Sequence, residues 1–300
     1  MARFEELETF VAVVESRSFA AAAERLRVAK SAVSRRIADL ESRLGAQLFI
    51  RTTRRRSLTE AGRHLYERSV RLLADLDEAE QSVASGQAEL RGNIHLAAPL
   101  SFGLLHLSSA LADFLRQNPE VNLDLNLDDR RVNLIEEGFD LALRIGRLED
   151  STLVARRLAP IRMVACASPD YLAAHGEPMA PEELLHHAGL FYGYISDQQN
   201  WPYPSAGRAL GARVPMRLRS NNGDVLLQAA IHGFGIAVLP TFLAYRAIAD
   251  GRLTAILRDH PLPELALYAV YPSRRHLPQR VRSLVDALAE RFGDTPYWDL

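Results

Sequence analysis

The stretch that decides the N-terminal fold covers residues 18–62 and reads SFAAAAERLRVAKSAVSRRIADLESRLGAQLFIRTTRRRSLTEAG. Ser18 is a good N-cap for a short helix over residues 19–26, and Gly45 can adopt the positive φ that ends a helix. Between them, apolar residues at helical spacing predict a second helix over residues 30–44. We expect that helix to bury Val33, Ile37, Leu40 and Leu44. Two helices joined by a tight turn, from Phe19 to Ala38, predict a helix-turn-helix.

The other side of the second helix is polar and basic. Between residues 30 and 63 there are nine basic residues and three acidic ones, within a chain of net charge −1. Such a surplus suits phosphates, although charge alone fits a solvated face equally well. In a helix-turn-helix, the N-terminal residues of the second helix come nearest to base edges. Predicted DNA contacts on this helix are Lys30, Ser31, Ser34, Arg35 and Arg36.

These five side chains differ in what they can do. Lys30, which is the one lysine of the chain, and Arg35 can donate to guanine O6 and N7. The two serines can reach bases or phosphates, or they can serve as local caps. Arg36 is predicted to clamp a phosphate, which positions the protein without specifying a sequence.

The segment IRTTRRRSL that follows suits a hairpin-like wing beside the helix. Arginine and threonine both donate to phosphate oxygens, and a wing can reach a minor groove. Solvated charges are the alternative interpretation. Predicted contacts in the wing are Arg51, Thr52, Thr53, Arg54, Arg55 and Arg56.

Beyond residue 58, apolar residues step by four and three over about three heptads, as in a coiled-coil seam. This spacing predicts a dimerisation helix, with an ordinary core helix as the alternative. The steps run through Leu65, Ser69, Leu72, Leu76, Ala79 and Val83, and the predicted dimerisation contacts are the five apolar residues among them. The loop SGQAELRGN then predicts a hinge.

From residue 94 onward, strand and helix patterns alternate. VNLDLNL at residues 121–127 alternates strictly, and the β-α-β-α-β rhythm predicts a parallel sheet within an α/β domain. Ligands of such sheets lie beyond the carboxyl ends of strands, near helix N-termini. Hydroxyls, amides and an arginine at three such ends favour an anion. Predicted contacts are Ser101, Phe102, Gly146, Arg147, Ser220, Asn221 and Asn222.

Two aromatic residues, Trp201 and Tyr203, could add a stacking wall to this pocket. They could equally be packing anchors, and the residues at 101 and 220–222 could be plain helix caps. An anionic or aromatic small molecule is therefore the expected ligand. Adjacent His186 and His187 point to different helix faces, which is wrong for sharing a metal.

Composition limits the remaining possibilities. The chain has no run of eighteen apolar residues, and acids stand where a secretory signal needs an apolar core, so we expect a cytoplasmic protein without a membrane span. A single cysteine, Cys166, excludes an intramolecular disulfide and a zinc cluster. It is either a buried structural thiol or a redox sensor. Enzyme motifs such as Walker, GxSxG, HExxH and GxGxxG loops are absent, and we expect neither an enzyme nor a cofactor.

Residues 18–62 resemble the LysR-type transcriptional regulators. The shared elements are Ala-Ala-x-x-Leu, Ser-x-x-Ser-Arg-x-Ile, Leu-Glu, Leu-Gly, Leu-Phe-x-Arg and Leu-Thr-x-x-Gly, in family order. The later segments PLSFGLLHL, DRRVNLIEEGFDLALRIGRL and SNNGDVLLQAAIHGFGIAVLP resemble the effector domain of the same family. One departure is Ala29, where the family usually has a capping Ser or Thr.

The resemblance implies three parts: a winged helix-turn-helix at residues 1–60, a linker helix and hinge at 61–91, and an effector domain at 92–300. That domain would have two lobes like a periplasmic binding protein, lobe I at 92–162 and 267–300 and lobe II at 163–266. The implied function is sequence-specific transcriptional regulation, modulated by a small molecule. Implied partners are promoter DNA, a second copy in a dimer or tetramer, and RNA polymerase. A solute-binding protein without DNA function is the alternative.

Overall fold

The computed structural model describes residues 2–50, 57–84, 90–147, 153–194, 200–203, 211–272 and 277–299; within these ranges, the side chains at 2, 67, 71, 74, 75 and 77–84 are not described. The chain divides into two compact units, Met1–Asn93 and Ile94–Leu300. The finer division into three parts stays a prediction.

The first unit is helical with one short strand pair. Its elements are α1 (Ala2–Ser16), α2 (Phe19–Leu26), α3 (Lys30–Leu44), β1 (Phe49–Ile50), β2 (Ser57–Leu58) and α4 (Glu60–Ala84). The predicted second helix of the helix-turn-helix is confirmed as α3. Its core side chains, with those of α1 and α2, surround the edge-to-face ring pair Phe10–Phe49. Leu44 differs from the prediction: it is 42% exposed, because the last turn of α3 extends past this core.

The ends of these helices follow from local chemistry. Ser18 caps α2 by accepting from the amide of Ala21, and Gly45 ends α3 at φ 64°. Ala29 stands at the N-cap of α3 without a side-chain hydrogen bond, as its methyl group dictates. Arg27 takes φ 54° at the end of α2 and turns the chain into α3. The tight turn predicted from the sequence is thus made by a non-glycine residue in the left-handed region.

The second unit is α/β. In chain order its strands are β3 (Gly92–Ala98), β4 (Val121–Leu127), β5 (Leu141–Gly146), β6 (Leu153–Ile161), β7 (Met163–Ala167), β8 (Gly189–Tyr192), β9 (Asn200–Trp201), β10 (Ala212–Arg213), β11 (Met216–Ser220), β12 (Ile236–Pro240), β13 (Thr254–Ile256) and β14 (Leu265–Pro272). Its α-helices are α5 (Leu100–Phe102), α6 (Ser108–Gln117), α7 (Leu134–Glu137), α8 (Pro169–His175), α9 (Gly223–Ile231), α10 (Thr241–Ala249) and α11 (Gln279–Phe292). A π-turn, Gly103–Leu107, joins α5 to α6.

Two five-stranded sheets form the centres of two lobes. Lobe I contains the sheet β4-β3-β5-β14-β6, and lobe II contains β11-β8-β12-β7-β13. Both sheets are mixed: β14 runs antiparallel to β5 and β6, and β7 runs antiparallel to β12 and β13. The α/β fold class is therefore confirmed, and β3 and β5 pair in parallel as the β-α-β-α-β rhythm predicts, while β14 and β7 make the two sheets mixed. Periodicity reports burial but not strand direction, and the chain passes between the sheets twice.

Two further observations bear on the sequence predictions. Cys166 lies fully buried in β7, and burial raises the pKa of its thiol to about 12. A neutral, shielded thiol of this kind is a packing group, the first of the two interpretations. Within the described residues, the structure contains no helix with the length and apolarity needed to cross a bilayer.

Candidate nucleic-acid interface and ligand cleft

The outer face of α3 presents four of the predicted DNA contacts to solvent: Lys30, Ser31, Ser34 and Arg35. The nearest carboxylate to Arg35 is that of Asp39, at 3.8 Å from Nε, and the Arg35 side chain is 84% exposed. An exposed pair at that distance contributes little, so the Arg35 guanidinium is available. Among the described residues, Lys30 has no ion-pair partner. This face is a patch of accessible hydrogen-bond donors at the leading end of the helix.

Two other arginines of α3 form ion pairs with α1. Arg36 donates to Glu5 at 2.6 Å and to the hydroxyl of Thr9 at 3.3 Å, while Arg43 donates to Glu6 at 2.6 Å. These bonds join α3 to α1. Arg36, which was predicted to bind a phosphate, is thus already hydrogen-bonded within its own unit. The sequence did not indicate this, because Glu5 lies 31 residues away.

Three motif residues hold the base of the wing. The carboxylate of Glu41 accepts from the amides of Leu48 and Phe49, at 2.7 and 3.3 Å. Thr59 Oγ1 donates to a backbone carbonyl of the preceding loop and accepts from the Gly62 amide at 2.9 Å. A Cβ added to Gly62 would lie 2.2 Å from the carbonyl oxygen of Leu48, so only glycine fits there.

The wing strands themselves pair antiparallel, Phe49 with Leu58 and Ile50 with Ser57. This pairing brings the two ends of the predicted wing together beside the helix-turn-helix. The predicted contacts between them lie outside the described residues: Arg51, Thr52, Thr53, Arg54, Arg55 and Arg56.

The predicted dimerisation seam runs along α4. Leu65, at its start, packs against the core of the first unit and so serves that core. Ser69 is buried, Leu72 is 47% exposed and Leu76 is partly exposed. The side chains of Ala79 and Val83 are not described. Pairing of two copies through the rest of the seam stays a prediction.

In the second unit, the segments that follow β3 and β4 contact lobe II, and we call this boundary between the two lobes the cleft. Ser101 is buried there, and its hydroxyl donates to Asp224 Oδ2 at 2.5 Å. Asp224 lies in the first turn of α9, so this hydrogen bond joins lobe I to lobe II. The Ser101 hydroxyl, which was predicted to contact the ligand, is therefore already hydrogen-bonded to a carboxylate of the same chain.

A second carboxylate accepts a hydrogen bond from the backbone amide of the neighbouring residue. Asp129 Oδ1 accepts from the Leu100 amide at 2.9 Å, and Asp129 also accepts from the hydroxyl of Tyr192 in lobe II. Burial raises the pKa of the Asp129 carboxyl, with smaller contributions from Asp128 and Asp224. Burial beside Asp129 likewise raises the pKa of Tyr192. We call the pairs Ser101–Asp224 and Asp129–Tyr192 the interlobe clasp.

The predicted contacts at the start of α9 act mainly on the backbone. Asn222 Oδ1 accepts from the Val225 amide at 3.2 Å and caps the helix, and Ser220 Oγ accepts from the Asn222 amide at 3.1 Å. Asn221 is exposed and reaches the Tyr194 hydroxyl at 3.4 Å. Of the three, Asn221 is the one that is exposed.

The predicted aromatic contacts lie in cores. Phe102 is fully buried against Phe242, with ring centroids 5.3 Å apart. Trp201 and Tyr203 belong to the lobe II core, where Trp201 packs against Phe191 at 5.3 Å. These rings are packing anchors, the alternative that the sequence left open. The aromatic pair beside the cleft is instead Tyr192 and Tyr194, with centroids 5.9 Å apart.

The remaining predicted contacts lie at the end of β5. Gly146 has open space on its side-chain side and Arg147 is exposed. Sequence reasoning missed Arg144, two residues earlier, which donates from Nη2 to the Val132 carbonyl at 2.7 Å. It also missed the two acids of the clasp. Asp128–Asp129 directly after an alternating strand was the available signal.

The part of the chain that the structure describes contains no group of three or more His, Cys, Asp or Glu side chains able to hold a metal ion. The adjacent histidines illustrate this. His187 Nδ1 lies 3.3 Å from the Tyr171 hydroxyl within lobe II, and His186 is an exposed residue at the end of the 3-10 helix Pro181–His186.

Comparison with known proteins identifies both units. Residues 4–63 match the family described as bacterial regulatory helix-turn-helix protein, lysR family, and residues 87–293 match the LysR substrate binding domain. The regulator PtxR of Pseudomonas aeruginosa is 38% identical over 291 residues, which span 97% of this chain and 93% of PtxR. An HTH-type regulator of Haemophilus influenzae is 37% identical over 284 residues, spanning 95% and 99%.

A solved structure gives the same answer. The structure of CrgA, a LysR-type transcriptional regulator from Neisseria meningitidis, aligns with a TM-score of 0.63 and 36% identity, covering 97% of this chain and 99% of CrgA. This family consists of DNA-binding regulators and not of enzymes. The chain therefore belongs to the LysR family of transcriptional regulators.

Proposed function

We propose that this regulator binds promoter DNA sequence-specifically through α3 and that a small molecule bound in the cleft modulates the binding. The observation that carries the proposal is the outer face of α3, where Lys30 and Arg35 stand in solvent with no strong partner. The bonds from Arg36 and Arg43 hold the same helix from behind. A rigid helix with unused donors at its leading end is what a major groove requires.

The roles within this surface follow from side-chain chemistry. Lys30 and Arg35 read guanine edges, while Ser31 and Ser34 reach bases or phosphates. Arg51, Thr52, Thr53, Arg54, Arg55 and Arg56 bind phosphates from the wing. Arg36 acts indirectly, by holding α3 on α1.

Self-association brings two helix-turn-helix units to one DNA site. The exposed Leu72 and the partly exposed Leu76 support pairing of two copies through α4. A two-fold pair reads two half-sites about 10 bp apart. The working complex is then a dimer or tetramer in the cytoplasm, acting on RNA polymerase at the promoter.

The effector belongs in the cleft beside the interlobe clasp. Asp129 and Asp224 already occupy the amide and hydroxyl that the sequence assigned to an anion. A negatively charged group would be repelled at that point, so the polar donors of the effector face the clasp. Its anionic end lies toward the β5 end at Gly146 and Arg147, and an aromatic ring would stack against Tyr194.

The test begins with genome-wide mapping of bound sites in the native host. Fluorescence anisotropy then compares the full chain on a mapped site and on a scrambled duplex. We expect specific binding to exceed non-specific binding by at least about a thousandfold at physiological salt. Equal affinity for both duplexes would contradict the proposal and favour a solute-binding protein without DNA function.

A further inference from the structure

Arg144, in the fourth position of β5, is a cation to which no described residue provides a counter-ion. Its Nη2 donates to the Val132 carbonyl at 2.7 Å, while its Nε is shielded from solvent with no acceptor. None of the described carboxylates forms an ion pair with it. Burial lowers the pKa of Arg144, and the nearby cation Arg131 lowers it further.

Two other arginines of lobe I are paired with carboxylates. Arg130 donates to both carboxylate oxygens of Glu137, and Arg156 donates to Asp286. A partly buried charge is unfavourable unless it is paired and hydrogen-bonded. A guanidinium has five N–H donors in a planar fork, and the described bonds of Arg144 use one of them.

Space for a partner exists on the same face of the sheet. Side chains alternate along a strand, so Arg144 and Gly146 point to one face. A Cβ built on Gly146 meets no described atom within 4 Å. The neighbouring strand places Tyr268 directly opposite Arg144 and on that face. An open position therefore lies beside the unused donors, bordered by an aromatic side chain.

We propose that Arg144 binds an oxyanion, a carboxylate or a phosphate monoester, in the space over Gly146 at the end of β5. The planar fork matches two oxygens of such a group, and bidentate contact supplies the counter-charge that the described residues do not provide. The site is separate from the clasp, where Asp129 and Asp224 exclude an anion. It deepens the proposed function, on which it rests, by naming the residue that holds the anionic end of the effector.

The test uses the full-length chain and thermal unfolding in the presence of benzoate, inorganic phosphate or, as an ionic-strength control, chloride. We expect one of the two oxyanions to raise the melting temperature saturably, by about 5 °C, whereas chloride does not. Which oxyanion acts tells a carboxylate effector from a phosphorylated one. In Arg144→Gln the half-saturating concentration should rise about tenfold or more.

Two further variants make the result specific. Arg156→Gln removes a paired arginine from the same sheet and should keep the full oxyanion response. Arg144→Lys keeps the charge without the fork, and should respond at an intermediate concentration. Without added oxyanion, Arg144→Gln should melt at or above the wild-type temperature, because it removes an uncompensated charge.

Other outcomes would overturn the site. A retained response in Arg144→Gln, or an equal loss in Arg156→Gln, would mean general salt stabilisation. If Arg144→Gln does not fold, Arg144→Lys decides: a wild-type half-saturating concentration in that variant rejects the fork. No oxyanion response in a wild-type chain that still binds its operator rejects the anion site alone. Loss of operator specificity in the wild type instead rejects the proposed function.

Discussion

The outer face of α3 and the interlobe clasp use polar groups in opposite ways. On α3, Lys30 and Arg35 remain in solvent with their donors unused. In the cleft, the Leu100 amide and the Ser101 hydroxyl are already bonded to carboxylates of their own chain. DNA would find the donors of α3 free, whereas a small molecule in the cleft would have to compete with hydrogen bonds that already exist. The first arrangement suits rapid capture, and the second suits a change of state.

The largest effect should come from the unused donors. We expect Arg35→Ala to weaken binding to the mapped operator about 30-fold, since a bidentate base contact contributes roughly 2 kcal/mol. Binding to scrambled DNA should fall much less. Anisotropy titrations on both duplexes measure this difference.

Arg36→Ala, in the same helix, is the matched control. It removes the bonds to Glu5 and Thr9, so it should lower thermal stability and leave the ratio of specific to non-specific affinity near that of the wild type. If both variants lose operator and scrambled binding equally, the two faces of α3 do not differ as described.

A smaller effect is expected on the clasp. Ser101→Ala leaves the partly buried Asp224 carboxylate without its donor, which should cost about 1–2 kcal/mol in unfolding free energy. Urea unfolding of the full chain measures it. Ser108→Ala, which removes a local helix contact to the Leu104 carbonyl, is the control and should be nearly neutral. Equal values for the two variants would show that Ser101–Asp224 stabilises nothing.

Local chemistry explains what the sequence could predict. The bounds of α3, the cap at Ser18 and the turn at Gly45 depend on residues within a few positions of each other. The difference between Arg35 and Arg36 depends on Glu5, which reaches α3 only through the packing of α1. Adjacent arginines in one helix cannot be told apart without that packing.

The cleft shows the same limit more strongly. The rule that ligands lie beyond strand ends led to Ser101, but the partner of its hydroxyl is 123 residues away. Asp129 and Tyr192 likewise meet only when the two lobes fold. Trp201 and Tyr203 carried no sequence signal that separates a core ring from a pocket wall. Strand ends are predictable, whereas the partners gathered there are not.

The clasp also predicts a dependence on pH. Burial raises the pKa of Asp129 above its unfolded value, so the folded chain holds that proton more tightly. The resulting stabilisation is complete below the unfolded pKa, near about 4, and is lost as the pH rises through the folded pKa. Wild type should therefore lose stability relative to Asp129→Asn as the pH rises above about 4 and through the raised pKa of the folded chain.

Melting curves of both proteins across that range measure the effect. Asp113→Asn removes an exposed carboxylate that pairs with Arg116, and it serves as the background. A difference between wild type and Asp129→Asn that stays constant with pH would show that Asp129 titrates alike in the folded and unfolded chain.

The smallest effect sharpens the description of α3 itself. Ala29 has φ −66° and ψ 144°, a backbone conformation that suits an N-cap, but it lacks an oxygen. Ala29→Ser should accept from the Ala32 amide and stabilise the first unit by about 1 kcal/mol. Ala32→Ser, inside the first turn, is the control and should be slightly destabilising. Thermal unfolding separates the two. If serine at position 29 adds nothing, the leading turn of α3 is already held by its packing, and the outer face is rigid without a cap.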